Sequence, residues 1–215
     1  MIGRRSLLAG AAGLLAIPAA NALPVPATNR LEFRILRKGS QIGTHFLRFS
    51  RDGEDLTVEV AADIVIGLGP IAFFRYRHRA TERWRNDQVV SVDAETDDDG
   101  TRERMTARRD GMSLVVEGTK APRYVAPPTA MPATHWNRRM LDGPLINTQN
   151  GLLMRPTVRL LGPGQVPTAD GGNLRADHVT LRGDADLDTW YDSTPAWVGL
   201  RFTAKDGSVV EYRRG

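Results

Sequence analysis

FFRYRHRATERWR, residues Phe73 to Arg85, separates into two interleaved sets of unlike chemistry. Phe74, Tyr76, His78, Ala80, Glu82 and Trp84 make one set, and Arg75, Arg77, Arg79, Thr81, Arg83 and Arg85 the other. Successive side chains of a pleated strand point to opposite faces, so strict alternation over this length makes one face aromatic and the other a row of arginines. A helix would mix the two sets. Same-face neighbours on a strand stand about 6.6 Å apart, where two like charges in water repel by only roughly 0.6 kcal/mol, tolerable in solvent and prohibitive in a core. The arginine face is therefore predicted to point outward and the aromatic face inward.

Upstream, Leu56, Val58, Val60, Ala62, Ile64 and Ile66 form an unbroken apolar face opposite Thr57, Glu59, Ala61 and Asp63. This second strand reaches the first through Gly67-Leu68-Gly69-Pro70, and an antiparallel pairing sets Glu59 and Asp63 beside the arginines. Downstream, Val89 to Asp97, Thr101 to Arg109 and Met112 to Gly118 read as strands separated by Asp98-Asp99-Gly100 and Asp110-Gly111. The Asn86-Asp87 connection is expected to be bulged, because the opposite parity would push Asp93 and Glu95 into the core. Earlier still, Leu31, Phe33 and Ile35 alternate, Lys38-Gly39-Ser40 turns, and Ile42 to Arg51 loses clean alternation near Gly43, the mark of a bulge.

From Thr119 to Pro132 the chain carries Pro122, Pro127, Pro128 and Pro132, which predicts a crossing or covering loop rather than a strand or helix. Thr134 to Leu141 has an N-cap residue and no breaker, allowing one or two helical turns, and Asp142 to Gly151 is loop-like. The meander then resumes with Leu153 to Leu161, Leu174 to Arg182, Asp186 to Tyr191, Trp197 to Lys205 and Val209 to Arg213. About eleven strands and almost no helix exclude the alternating strand-helix pattern of parallel sheets. The prediction is an all-β fold over residues 23–215: one large curved antiparallel meander sheet, a barrel or half-barrel that hides its apolar face, with a Pro-rich covering segment and at most a short helix.

The 215 residues include no cysteine, and 41% are apolar and 25% charged, the profile of a soluble globular chain. Residues 1–22 read as a cleaved export signal: Arg4-Arg5, an uncharged Ala/Gly/Leu stretch, and A-x-A at Ala20-Asn21-Ala22. Arg4-Arg5-Ser6-Leu7-Leu8 resembles the twin-arginine signal, though Gly3 and Ala9 depart from its usual ends. Its apolar part is about a dozen residues against the ~20 of a spanning helix. Without cysteine there is no lipid-anchored N-terminal Cys, disulfide framework or thiolate metal site. Removing Arg4 and Arg5 from the formal +4 leaves +2 for residues 23–215. A periplasmic or secreted protein is expected, peripheral to a membrane at most, with no nucleic-acid partner.

The C-terminal Trp190-Tyr191-Asp192, Trp197, Asp206-Gly207-Ser208 and Glu211-Tyr212 resemble the ending of a family of exported bacterial proteins known as a domain of unknown function. Ile42-Gly43-Thr44, Thr134-His135-Trp136-Asn137 and Asn147-Thr148-Gln149-Asn150-Gly151 fit it too. The layout is similar to the curved-sheet lipoprotein carriers of the periplasm, whose concave face holds acyl chains. The resemblance implies a fold more than an activity and brings no catalytic residues with it.

Gly67-Leu68-Gly69-Pro70-Ile71-Ala72 matches a dinucleotide-binding turn, but that fingerprint needs a helix where this chain continues as a strand. His45, His78, His135 and His178 show no ligand spacing, and Asp184, Asp186 and Asp188 read as a solvated acidic edge. No cofactor or metal is expected, and no nucleophile, phosphate-loop or zinc-protease motif is present. His135 with Asn137 and Asp142 offers a base and orienters; the alternative is that Trp136 plugs the barrel while His135 and Asn137 hydrogen-bond loop backbone. Glu82, between Ala80 and Trp84 on the aromatic face, needs a partner from another strand or a polar ligand unless it reaches water at the strand end.

The two-faced sheet together with the family resemblance leads to the expectation of an exported binding or carrier protein for an apolar or amphipathic ligand. Phe74, Tyr76, Glu82 and Trp84 line the sheet, and His135, Trp136, Asn137 and Gln149 face them from the covering segment. Such a carrier requires an interior its own side chains do not fill. The competing expectations are an envelope interaction module without a small ligand, and a hydrolase-type enzyme using His135.

Overall fold

In the computed structural model, which describes residues 23–68 and 71–215, the alternating stretch lies in one long strand, Ile71–Arg85, oriented as its two residue sets require. Residues 1–22, and with them the export-signal reading, fall outside the described residues. His78, Ala80, Glu82 and Trp84 are buried, whereas Arg75, Arg77, Arg79, Arg83 and Arg85 are exposed.

In chain order the first strands are β1 (Arg30–Arg37), β2 (Ser40–Asp52), β3 (Asp55–Leu68), β4 (Ile71–Arg85), β5 (Gln88–Asp98), β6 (Thr101–Asp110), β7 (Ser113–Gly118) and β8 (Ala121–Val125). Three short strands follow, β9 (Met131–Pro132), β10 (Leu145–Ile146) and β11 (Leu153–Met154). The last are β12 (Thr157–Pro167), β13 (Asn173–Arg182), β14 (Leu187–Tyr191), β15 (Trp197–Thr203) and β16 (Val209–Arg214). Thirteen of them form one antiparallel sheet in the order β12-β13-β14-β15-β16-β1-β2-β3-β4-β5-β6-β7-β8. Since β16 pairs with β1, the first and last strands meet mid-sheet and the edges are β8 and β12.

The chain between those edges crosses the concave face with the small β11-β10-β9 sheet and a 3-10 helix, Arg138–Asp142. Its Trp136, Met140, Leu145 and Ile146 join Phe33, Leu47, Phe49, Leu56, Val58, Trp84, Val92, Met105 and Leu114 of the sheet in one buried cluster. The apolar face that a meander leaves uncovered is thus hidden by the sheet's own connection. That connection comes very close at Gly118, where a Cβ would run into the Asn150 carbonyl.

The sequence-derived bulges are present. Ile35 faces Gly43 while Leu36 faces Gln41, leaving Ile42 as the extra residue, and Arg83 faces Ser91 while Trp84 faces Val89, leaving Val90. The second bulge sets Asp93 opposite Thr81 and Glu95 opposite Arg79, so both acids stay on the arginine face. Asp63 accepts from Arg79 at 2.8 Å through both carboxylate oxygens and lies 3.5 Å from Arg77.

Three expectations need correction. The Pro-rich segment is partly strand, because β8, containing Pro122, lies at the sheet edge, where a missing amide donor is tolerated. The helical turn begins at Asn137, whose side chain accepts from the Arg139 amide, and Thr134 does not cap it. The strand expected over Leu153 to Leu161 is broken at Arg155-Pro156 and continues through a bulge at Leu161 to Pro167. That longer hairpin curls onto the convex face, packing Val166 and Ala176 against Trp190 and Val198, and the Ala169 amide donates to the Arg214 carbonyl at 2.8 Å.

Candidate functional site

The inward row of β4 runs from a closed end at Trp84 to an open end at Phe74. At the closed end Glu82 is 1% exposed, and its Oε2 accepts from Trp84 Nε1 at 2.9 Å and Trp136 Nε1 at 3.0 Å. Trp136 stands edge-on to Trp84 and to Phe49, both with centroids 5.2 Å away. Burial raises the Glu82 pKa above its usual 4.5, opposed by hydrogen bonds from Thr134, Trp136 and Trp84. The partners that Glu82 required therefore come from the crossing segment and its own strand, not from water.

Pairing registers place a polar row just above this end: His45 faces Ala62, Ala62 faces His78, and His78 faces Thr96. His78 Nδ1 and Thr96 Oγ1 are 2.8 Å apart. From the crossing segment His135 stacks on Trp197 at 5.2 Å, and His45 meets Trp197 edge-on at 5.4 Å and Tyr212 at 5.6 Å. Burial, with His135 nearby, lowers His45 to about 3, and burial lowers His135 to about 4. Both imidazoles are neutral at ordinary pH, yet neither His45 nitrogen nor His135 Nδ1 has a hydrogen-bond partner.

Above the polar row, Ile35, Ile64 and Val210 form a separate apolar cluster, with half-buried Ile42, Ile66, Phe74, Tyr76, Phe202 and Tyr212 packed on it. Gln149 Nε2 donates to Tyr76 Oη at 3.0 Å. The result is a half-buried apolar end of the curved sheet, its mouth, beneath which lie neutral imidazoles whose unpaired nitrogens are buried.

The structure thus divides the sequence-derived ligand set. Phe74, Tyr76 and Gln149 meet at the mouth, and His135 lies beneath it. Glu82, Trp84 and Trp136 pack against one another with 1%, 1% and 0% exposure, presenting no surface to a ligand. Asn137 is buried; its Oδ1 caps the 3-10 helix and its Nδ2 has no partner. Asp142 is exposed at the end of that helix, while His135 faces Trp197. Nor is the interior hollow throughout, since the crossing segment fills its closed half. A trough of about 630 Å³, lined by Phe46, Arg48, Glu59, Arg79, Glu95 and Arg104, and a recess of about 210 Å³ beside Arg109 lie on the convex face instead.

Asp188 corrects the acidic-edge expectation. It is 7% exposed and accepts from Arg182 and Arg201, both at 2.6 Å, on the convex face. Sequence reading passed over His45, Tyr212 and Phe202. Their parity with Leu47, Val210 and Leu200 marks them as inward, but nothing local shows that β16 lies beside β1. Among the described residues no group of three or more His, Asp or Glu is placed to hold a metal, and no helix is long and apolar enough to cross a membrane.

A curved sheet wrapped around its own connecting segment is a β-barrel-like architecture. It is shared with the crystal structure of a beta-barrel-like protein of domain of unknown function DUF1849 from Brucella abortus, with a TM-score of 0.56, 9% identity, and 86% of this chain and 94% of that chain covered. At that identity the likeness is one of fold. The chain itself belongs to the family described as domain of unknown function DUF6134, whose model matches residues 33–215. No curated protein matches it.

Proposed function

We propose that this protein is an exported binding module that takes an apolar or amphipathic ligand at the mouth of its curved sheet. The observation that carries this reading is the mouth itself: Ile42, Ile66, Phe74 and Phe202 remain half-buried above His45, with both ring nitrogens buried and unpaired, and His135, with its Nδ1 buried and unpaired. Apolar walls with a few convergent polar groups are the usual make-up of a small-molecule site. Since both imidazoles are held neutral, they suit an uncharged polar end such as an ester, amide or hydroxyl better than a carboxylate. The leader-like residues 1–22 support a site of action outside the cytoplasm, and Arg4→Lys with Arg5→Lys should retain the precursor inside if the twin-arginine route is used.

Mass spectrometry of lipids that copurify with the protein from its native envelope tests the reading. The expected result is an apolar ligand on the parent, lost in Phe74→Asp and kept in Arg48→Ala on the convex face. Identical lipid profiles in all three, or no ligand together with no binding of a fluorescent fatty alcohol, would overturn it.

A further inference from the structure

The β3–β4 hairpin outruns its neighbours. β2 pairs with β3 as far as Gly43 opposite Ile64, and β5 with β4 as far as Tyr76 opposite Asp98. Past those pairs the chain continues as a ribbon with Val65 opposite Arg75, Ile66 opposite Phe74 and Leu68 opposite Ile71. No residue from Ile64 to Phe74 carries a charge. Val65 on the outward face, Phe73 as the extra residue of a bulge opposite Ile66, and Ile71 opposite Leu68 are 48%, 64% and 62% exposed, while Ile66 and Phe74 on the inner face continue the apolar wall of the mouth. Arg75 and Arg77 follow directly on the outward face, both exposed, beside the acidic turn of Asp97, Asp98 and Asp99.

We propose that this ribbon docks the protein on a zwitterionic phospholipid bilayer, with Ile71 and Phe73 entering the boundary between headgroups and acyl chains. A groove in a partner protein would cover one face of the ribbon, whereas both faces here are apolar, which suits a surrounding apolar medium. The uncharged arm from Phe74 to Ile71 spans about 10 Å, less than the ~15 Å hydrocarbon depth of one leaflet, so it dips in without crossing. Backbone groups along the ribbon's two sides keep the entry shallow, because they need water or headgroups. Mixed charge below the tip complements a headgroup that itself carries both signs: arginines toward phosphate, aspartates toward ammonium. Ile66 and Phe74 are shared by ribbon and mouth, so docking brings the mouth to the membrane, but the docking stands whether or not the mouth holds a ligand.

The chain has no cysteine, so Phe73→Cys can carry a single environment-sensitive fluorophore. With phosphatidylethanolamine–phosphatidylcholine vesicles, the label should shift to the blue and be quenched by nitroxides placed high on the acyl chains. A label at Met112→Cys, a turn residue 80% exposed at the opposite end of the sheet, should do neither. Adding Ile71→Asp to the Phe73→Cys protein should lower vesicle partitioning at least about tenfold with an unchanged circular-dichroism spectrum. Equal responses from both labels, or a Phe73→Cys signal indifferent to Ile71→Asp, would overturn the proposal. So would a concentration-dependent dimer, formed without vesicles and abolished by Ile71→Asp, which would assign the tip to a second copy of the chain.

Discussion

Glu82 and Tyr76 occupy the same face of the same strand, yet their surroundings differ in every respect that governs energetics. Around Glu82 the crossing segment has brought two indole N–H groups, and nothing is left accessible. Around Tyr76 it brings Gln149, and the neighbouring Phe74 stays half-buried. Alternation decides which face a side chain takes, but where a distant segment crosses decides whether that face is core or mouth. The closed end should therefore answer to changes in stability, and the mouth to changes in binding.

The largest effect should come from Trp136→Ala, which opens a cavity against Phe49 and Trp84 and deprives Glu82 of a donor. A loss of about 4 kcal/mol or more is expected in urea unfolding, and a loss under ~1 kcal/mol would mean that the segment does not hold the closed end. Tyr76→Ala should cost roughly 3 kcal/mol, since the ring is inward, whereas Tyr76→Phe should cost about 1 kcal/mol by removing only the bond from Gln149.

The two ends should also differ in the sign of their pH dependence. His45 and His135 have folded pKa values of about 3 and 4, below their usual 6.5, so the stability of the neutral forms is present above 6.5 and lost as pH falls through that window. Each titrating imidazole contributes a slope of up to about 1.4 kcal/mol per pH unit there, and His135→Phe should move the acid-unfolding midpoint to lower pH. Glu82 is raised, so its contribution is full below about 4.5 and lost as pH rises through its folded value; Glu82→Gln should flatten that decline. If Glu82→Gln instead left the profile unchanged, the carboxyl would be ionised and the closed end wetter than its geometry indicates. The smallest effects belong to the arginine face: Arg77 and Arg79 side chains are 70% and 45% exposed, and either change to alanine should cost only ~0 to 1 kcal/mol.

Much of the fold was legible because a strand's period is local. The faces of β3 and β4 follow from alternation, and the Val90 bulge follows from the need to keep Asp93 and Glu95 out of the core. The site was legible only in part. Phe74 and Tyr76 could be placed on the inner face, but the row His45, Ala62, His78, Thr96 exists only through successive registers across four strands. Pro122 in β8 misled because an edge strand obeys a different rule from a central one.

The sequence by itself determined an all-β meander, its inward and outward faces, and the absence of thiol chemistry, because these depend on residue type and on spacings of one or two residues. Only the tertiary structure decided that β16 lies against β1, that the chain from Ala126 to Pro156 fills the closed half of the interior, and that Glu82 is met by Trp136 while both His45 nitrogens and His135 Nδ1 remain unpaired. Those outcomes depend on which distant surfaces bury the most apolar area together, a sum over the whole chain that no local pattern records.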